Sequence, residues 1–69
     1  MNDMLKVIEV LAESEKSWED AAQTAVGNAG KTLENIKSVY VKNFEAKVKN
    51  GEITLYRINA KISFELENR

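Results

Sequence analysis

Polar and apolar positions divide the chain into three apolar runs and one helical stripe. Met4 to Ala12 (Met-Leu-Lys-Val-Ile-Glu-Val-Leu-Ala) is rich in β-branched residues and too short for a stable isolated helix, so it predicts a strand. The polar stretch Glu13-Ser-Glu-Lys16 reads as the linker that follows. Beyond it, apolar residues fall at Trp18, Ala21, Ala22, Ala25, Val26, Ala29 and Leu33, the recurrence of one helix face. Ser17 reads as the N-cap, with Asp20 as a weak capping-box partner, and Glu19 and Asp20 suit the positive end of the helix dipole. Gly27 and Gly30 each weaken the helix by about 1 kcal/mol relative to Ala, which predicts an end near Thr32 or Leu33.

Two long strand-like runs, Ile36 to Val48 and Ile53 to Leu66, flank Asn50-Gly51. Asn-Gly between alternating runs is a strong hairpin signal, because a type I′ turn needs positive φ at both central positions. The elements predict an α+β domain of β-α-β-β order. Its three-stranded antiparallel sheet carries one helix on one face, and a single domain spans residues 1–69. A two-residue turn pairs Lys49 with Glu52. Val39 and Val41 then face Ile62 and Ala60 beneath the helix. Ser38, Tyr40, Lys42 and Phe44 meet Ser63, Lys61, Asn59 and Arg57 on the other face.

Nearer the turn this register reverses the polarity. Asn43, Glu45, Lys47 and Thr54 come to the helix side, and Phe44, Ala46, Val48, Ile53 and Leu55 to the other. A helix of about 15 residues spans about 22 Å, whereas strands of about 13 residues reach roughly 43 Å. The hairpin tip therefore projects beyond the helix, and its apolar residues Phe44, Ala46, Val48, Ile53 and Leu55 form an expected contact surface between copies of the chain.

Composition narrows the functions. Lys+Arg 10 against Asp+Glu 11 leaves no basic excess for nucleic acid. With no His and no Cys, imidazole and thiol chemistry, disulfides and zinc sites of the usual kind are excluded. No carboxylate pair, activated nucleophile or phosphate-cradling Gly loop stands out, so no catalytic residue is assigned and an enzyme is not expected. Met1 to Ala12 shows neither a targeting pattern nor a membrane-length apolar run, which predicts a soluble cytoplasmic protein. At 69 residues, ordering the chain costs roughly 1.5 kcal/mol per residue, which a single small core barely offsets, so self-association is expected.

The first strand, the Ser17-Trp-Glu-Asp-Ala-Ala22 helix start, Lys31-Thr-Leu-Glu-Asn-Ile36, and Tyr56 through Ser63-Phe-Glu-Leu66 together resemble the dodecins over about Lys6 to Leu66. The resemblance implies a small β-α-β-β protein assembled as a hollow homododecamer that stores or buffers a small ligand without catalysis. In flavin-binding dodecins a Trp early in the second strand stacks on the isoalloxazine ring, and a Gln after the Tyr of the third strand bonds its polar edge. Ser38 and Arg57 occupy those positions here. Ser38 has no ring to stack, and Arg57 donates hydrogen bonds but accepts none. The Ser-Trp-Glu helix start resembles the branch without that Trp, with which calcium is associated, more than the flavin branch.

Two groups of residues are candidate sites. Ser38, Tyr40, Lys42, Arg57, Asn59 and Lys61 share the hairpin face that would line the lumen, where a polar row suits an anionic small molecule and Tyr40 is the aromatic left to stack on one. Glu13, Glu15, Glu19 and Asp20 cluster at the strand–helix junction, where carboxylates from several chains would suit calcium, although no calcium-loop spacing is present. Trp18 is expected in a core or subunit contact. The occupant stays open between calcium, an anionic small molecule and, least favoured, a flavin in a substituted site; a purely structural assembly is the remaining alternative. The expected partners are other copies of the chain and a small ligand or ion, with no nucleic acid and no membrane.

Overall fold

The computed structural model describes residues 4–66 and has the predicted α+β order: β1 (Leu5–Ser14), α1 (Trp18–Ala29), β2 (Ile36–Lys49) and β3 (Glu52–Glu65). The strands form one antiparallel sheet in the order β1-β3-β2, with α1 on one face. β3 is thus central, and β1 and β2 are both edges.

β1 runs two residues beyond its apolar stretch because the polar residues there find partners. Glu13 pairs across the ladder with Arg57, and Ser14 with Tyr56. Ser14 is buried on the helix side, where its hydroxyl donates to Asp20 Oδ2 at 2.6 Å and accepts from the Lys16 amide at 2.9 Å. The expected linker is therefore half strand.

α1 begins as predicted. Ser17 has extended backbone, and its hydroxyl accepts from the Asp20 amide at 2.9 Å, satisfying one of the free amides of the first turn. The helix closes at Ala29, earlier than expected. The chain then leaves through one looser turn, in which the Thr32 and Leu33 amides both donate to the Ala29 carbonyl at 3.2 and 2.9 Å. Ala21 and Ala25 face the sheet, so the helix lies close to Ala12, Ile58, Ala60 and Ile62. Among the described residues, the large side chains that are fully buried are Ile58 and Ile62. So slight a core leaves the isolated chain marginal.

The Asn50-Gly51 turn has φ 53° and 80°, the positive values a type I′ turn demands, and Lys49 pairs with Glu52. The far half of the hairpin also keeps the expected pairs, Val39 with Ile62 and Val41 with Ala60. Between them the register shifts by one residue. Asn43 meets Asn59, Phe44 meets Ile58, Glu45 meets Arg57 and Ala46 meets Tyr56. An extra residue on β2 at Lys42 opens this shift, and one on β3 at Thr54 closes it; a third irregularity lies at Lys37.

The predicted reversal of polarity is corrected by these bulges. Lys42 absorbs the odd residue, so Asn43 and Glu45 stay on the polar face, and Phe44 and Ala46 stay on the helix face with Ile58 and Tyr56. By strand alternation Val48 and its partner Ile53 follow them. Leu55, opposite Lys47, keeps the predicted side away from the helix. Trp18 at the head of α1 packs edge-on against Phe44 and Tyr56, with ring centroids 5.8 and 4.9 Å apart. The lengths do act as expected: the molecule measures 54 × 20 × 13 Å, and the hairpin tip extends past the helix with Val48 and Ile53 exposed. Among the described residues, no helix is long and apolar enough to cross a membrane.

Candidate functional site on the uncovered sheet face

Alternation along the three strands decides what the face opposite α1 presents. β1 contributes Leu5, Val7, Glu9, Leu11 and Glu13. β3 contributes Arg57, Asn59, Lys61 and Ser63, and β2 adds Ser38, Tyr40, Asn43 and Glu45. Five of the six predicted ligand residues therefore share this face in one ladder, with Tyr40 opposite Lys61, and Lys42 joins them from its bulge.

The charges on this face are largely matched within the chain. Arg57 Nε donates to Glu13 Oε2 at 2.8 Å, its Nη2 lies 2.6 Å from the same oxygen, and its Nη1 lies 3.6 Å from Glu45 Oε1. The hydrogen bond that Arg57 donates to Glu13, the charge of Glu13 and then the charge of Glu45 hold the guanidinium above the ordinary arginine value. Lys42 reaches across to Glu9 at 3.6 Å, and Lys37 to Glu65 at 3.5 Å. The polar row read from the hairpin as a site for an anion is thus substantially neutralised by carboxylates from β1 and β2. Lys61 makes no ion pair among the described residues.

Beside this network lies a hollow of about 380 Å³ walled by Leu11, Asn43, Phe44, Glu45, Arg57 and Asn59. The side-chain oxygen of Asn59 is buried and has no hydrogen-bond partner among the described residues. Such an atom loses its hydration and receives nothing in return, a cost of about 1–3 kcal/mol that a donor or a cation would relieve. The hollow therefore has one acceptor oxygen to spare, that of Asn59, beside the oxygen-bearing side chains of Asn43 and Glu45, while its cation is already engaged.

The acidic junction is arranged differently from its sequence grouping. Glu13 turns to the uncovered face and is held by Arg57, while Asp20 accepts from Ser14 on the helix side. Glu15 and Glu19 are exposed. Among the described residues, no three acidic side chains of one chain converge as a metal site. The hairpin pattern does not reveal Glu9, Leu11, Glu13, Asn43 and Glu45 as part of the polar face, because three of them belong to β1 and two depend on the bulge. Matching Glu9 and Glu13 with Lys61 and Arg57, four residues apart on each strand, is the signal that places β1 against β3.

Comparison with known proteins gives a consistent result. The family model described as Dodecin matches residues 4–67. The calcium dodecin of Mycobacterium tuberculosis is 33% identical over 61 residues, covering 88% of this chain and 86% of that protein. The crystal structure of a calcium chelating immunodominant antigen from that organism, also a calcium dodecin, is similar with TM-score 0.79 and 34% identity over 93% of this chain and 91% of that one. A mutant of the T. thermophilus dodecin matches with TM-score 0.91 and 27% identity, over 97% of this chain and 100% of that chain.

Proposed function

The chain belongs to the dodecin family, and from that premise we propose that it forms a homododecameric shell that binds and buffers calcium without catalysing a reaction. The observation that carries the choice of ion is the unpartnered oxygen of Asn59, a residue that lines a hollow whose arginine is already engaged by Glu13 and Glu45. A spare acceptor suits a hard cation, which takes six to eight oxygens, and an anion would have to compete with two carboxylates for Arg57. The likeness to calcium dodecins supports the same choice. One chain supplies too few oxygens for a full shell of ligands, and a symmetric assembly brings equivalent faces together. The slight core and the exposed Leu5, Val7, Leu11, Val48 and Ile53 support assembly.

Light scattering should give a particle of about twelve chains, and a monodisperse monomer at micromolar concentration would refute the shell. Calorimetric titration with calcium should then show saturable binding that Asn59→Ala with Glu45→Gln abolishes. The pair Glu15→Gln with Glu19→Gln tests the exposed junction carboxylates in the same way. Binding lost only in this second pair would move the ion to the junction, and no binding by the wild type would refute the calcium reading.

A further inference from the structure

The proposed calcium hollow already has a cation in its wall, and it belongs to the chain itself. Arg57 lies on the central strand β3, paired across one ladder with Glu13 of β1 and across the other with Glu45 of β2. The three side chains form one row across the uncovered face, and the next row on that face is Leu11, Asn59 and Asn43. Residues of both rows wall the hollow.

A guanidinium has five donors and no acceptor, so Arg57 cannot ligate a metal ion, and its charge opposes one. Its work in the chain is to balance charge. Nε and Nη2 both reach Glu13 Oε2, at 2.8 and 2.6 Å, and Nη1 lies 3.6 Å from Glu45 Oε1. The backbones of Glu13 and Glu45 stand two strand spacings apart, about 10 Å, so their carboxylates converge only on something held between them. Two carboxylates against one guanidinium leave the row with an excess of negative charge. A calcium ion added beside Arg57 would reverse that excess, whereas a calcium ion in place of Arg57 neutralises it. The second arrangement is open to the side chain. Arg57 is 30% exposed, and its long stem can carry the charged head into water.

We propose that Arg57 is a tethered competitor for calcium: it occupies the two carboxylates in the calcium-free protein, and calcium binds by displacing the guanidinium from Glu13 and Glu45. This rests on the calcium reading above and adds how that site is regulated. Binding becomes an exchange of one cation for another. The carboxylates always keep a counter-charge, and the ion pairs that must break hold the affinity down, which suits an ion that is to be released again.

Calorimetric titration with calcium chloride at fixed ionic strength tests this on the assembled protein. Arg57→Met keeps an unbranched stem and removes the charge. It should lower the dissociation constant by about tenfold, the effect of taking a unit charge away from a few ångströms beside a divalent ion even in water. Arg57→Gln, a second neutral replacement, should share the gain. Arg57→Lys keeps the charge without the fork and should bind calcium about as weakly as the wild type. Adding Asn59→Ala to Arg57→Met should weaken binding again. Thermal unfolding gives an independent reading: Arg57→Met should melt below the wild type without calcium, and saturating calcium should close that gap. Wild-type binding that the neutral variants leave unchanged or weaken overturns the competition and leaves the calcium reading standing, with Arg57 then holding the carboxylates in place for the ion. Arg57→Lys binding as tightly as Arg57→Met also overturns it. No calcium binding by either the wild type or Arg57→Met overturns both.

Discussion

The indole Nε1 of Trp18 donates to the main-chain oxygen of Glu45 at 3.0 Å, joining the first residue of α1 to β2 across 27 positions of sequence. Glu45 is in turn the residue whose side chain reaches Arg57 on the other face of the sheet. One segment of β2 therefore carries both the tie that holds the hairpin to the helix and a wall of the proposed calcium site. Trp18 does more than fill the core: it sets where the arm leaves the body of the molecule.

Replacing Trp18 by Phe keeps a ring against Phe44 and Tyr56 but removes the indole donor to that carbonyl. The expected loss is about 0.5–1.5 kcal/mol, the net worth of one hydrogen bond. For a domain of this size each kcal/mol moves the melting temperature by about 4–8 °C. Thermal unfolding followed by circular dichroism measures it, and an unchanged midpoint would show that the bond contributes nothing.

Two glycines should respond to alanine with opposite signs. Gly51 has φ +80° in the hairpin turn, so Gly51→Ala forces a side chain into the left-handed region and should destabilise by about 1–2 kcal/mol, although no atom stands in its way. Gly27 lies inside α1 with open space where a Cβ would sit, so Gly27→Ala should stabilise by about 0.5–1 kcal/mol. Urea unfolding of the two variants under one condition checks both signs.

These cases show which features the sequence makes legible. Ser17, Asp20 and Asn50-Gly51 act through their own backbone neighbours, so their residue types suffice to place a helix start and a turn. The bulges at Lys42 and Thr54 have no such signature, since they satisfy the apolar pattern of two strands at once and leave no Gly or Pro behind. Rigid pairing from the turn would place Phe44 on the polar face and Glu45 under the helix; one extra residue keeps both where their chemistry belongs. The polar face is half legible for a related reason. Arg57, Asn59 and Lys61 follow from the hairpin, whereas Glu9 and Glu13 arrive on a strand whose partner and register are non-local.

The Arg57 network predicts a dependence on salt more than on pH. Its two carboxylates raise the affinity of Arg57 for its proton above the ordinary arginine value. A raised value for a base means that its stabilising contribution is full below the unfolded-state value and is lost only as pH rises through the folded-state value. Between about pH 6 and 10 the side chain is therefore always charged, and the gap in melting temperature between wild type and Arg57→Met should stay flat. Raising the salt should narrow that gap, because the pair is partly exposed and the screening length falls from about 10 Å at 0.1 M to about 3 Å at 1 M. A gap that vanishes near pH 9 would contradict this assignment.

The departure from flavin-binding relatives can be tested by restoring what is missing. Ser38 faces Ser63 on the uncovered sheet, and the resemblance to the dodecins implies that it stands in place of their stacking Trp. Arg57 is held between Glu13 and Glu45, which prevents it from acting as the Gln would toward a ring edge that needs both donors and acceptors. A stacking aromatic is worth about 0.5–1.5 kcal/mol beyond its buried area, and an unpaired donor at the ring edge costs about 1–3 kcal/mol. Since each 1.4 kcal/mol is about tenfold in affinity, the wild type should leave riboflavin fluorescence nearly unquenched at concentrations where a flavin-binding dodecin quenches it. Ser38→Trp with Arg57→Gln should recover quenching, and Ser38→Trp alone should recover less, because Arg57 would still be engaged by its carboxylates. The double variant also frees Glu13 and Glu45, so their repulsion should lower its melting temperature even as flavin binding returns. Tight riboflavin binding by the unmodified protein would overturn the assignment of Ser38 and Arg57 to that pocket.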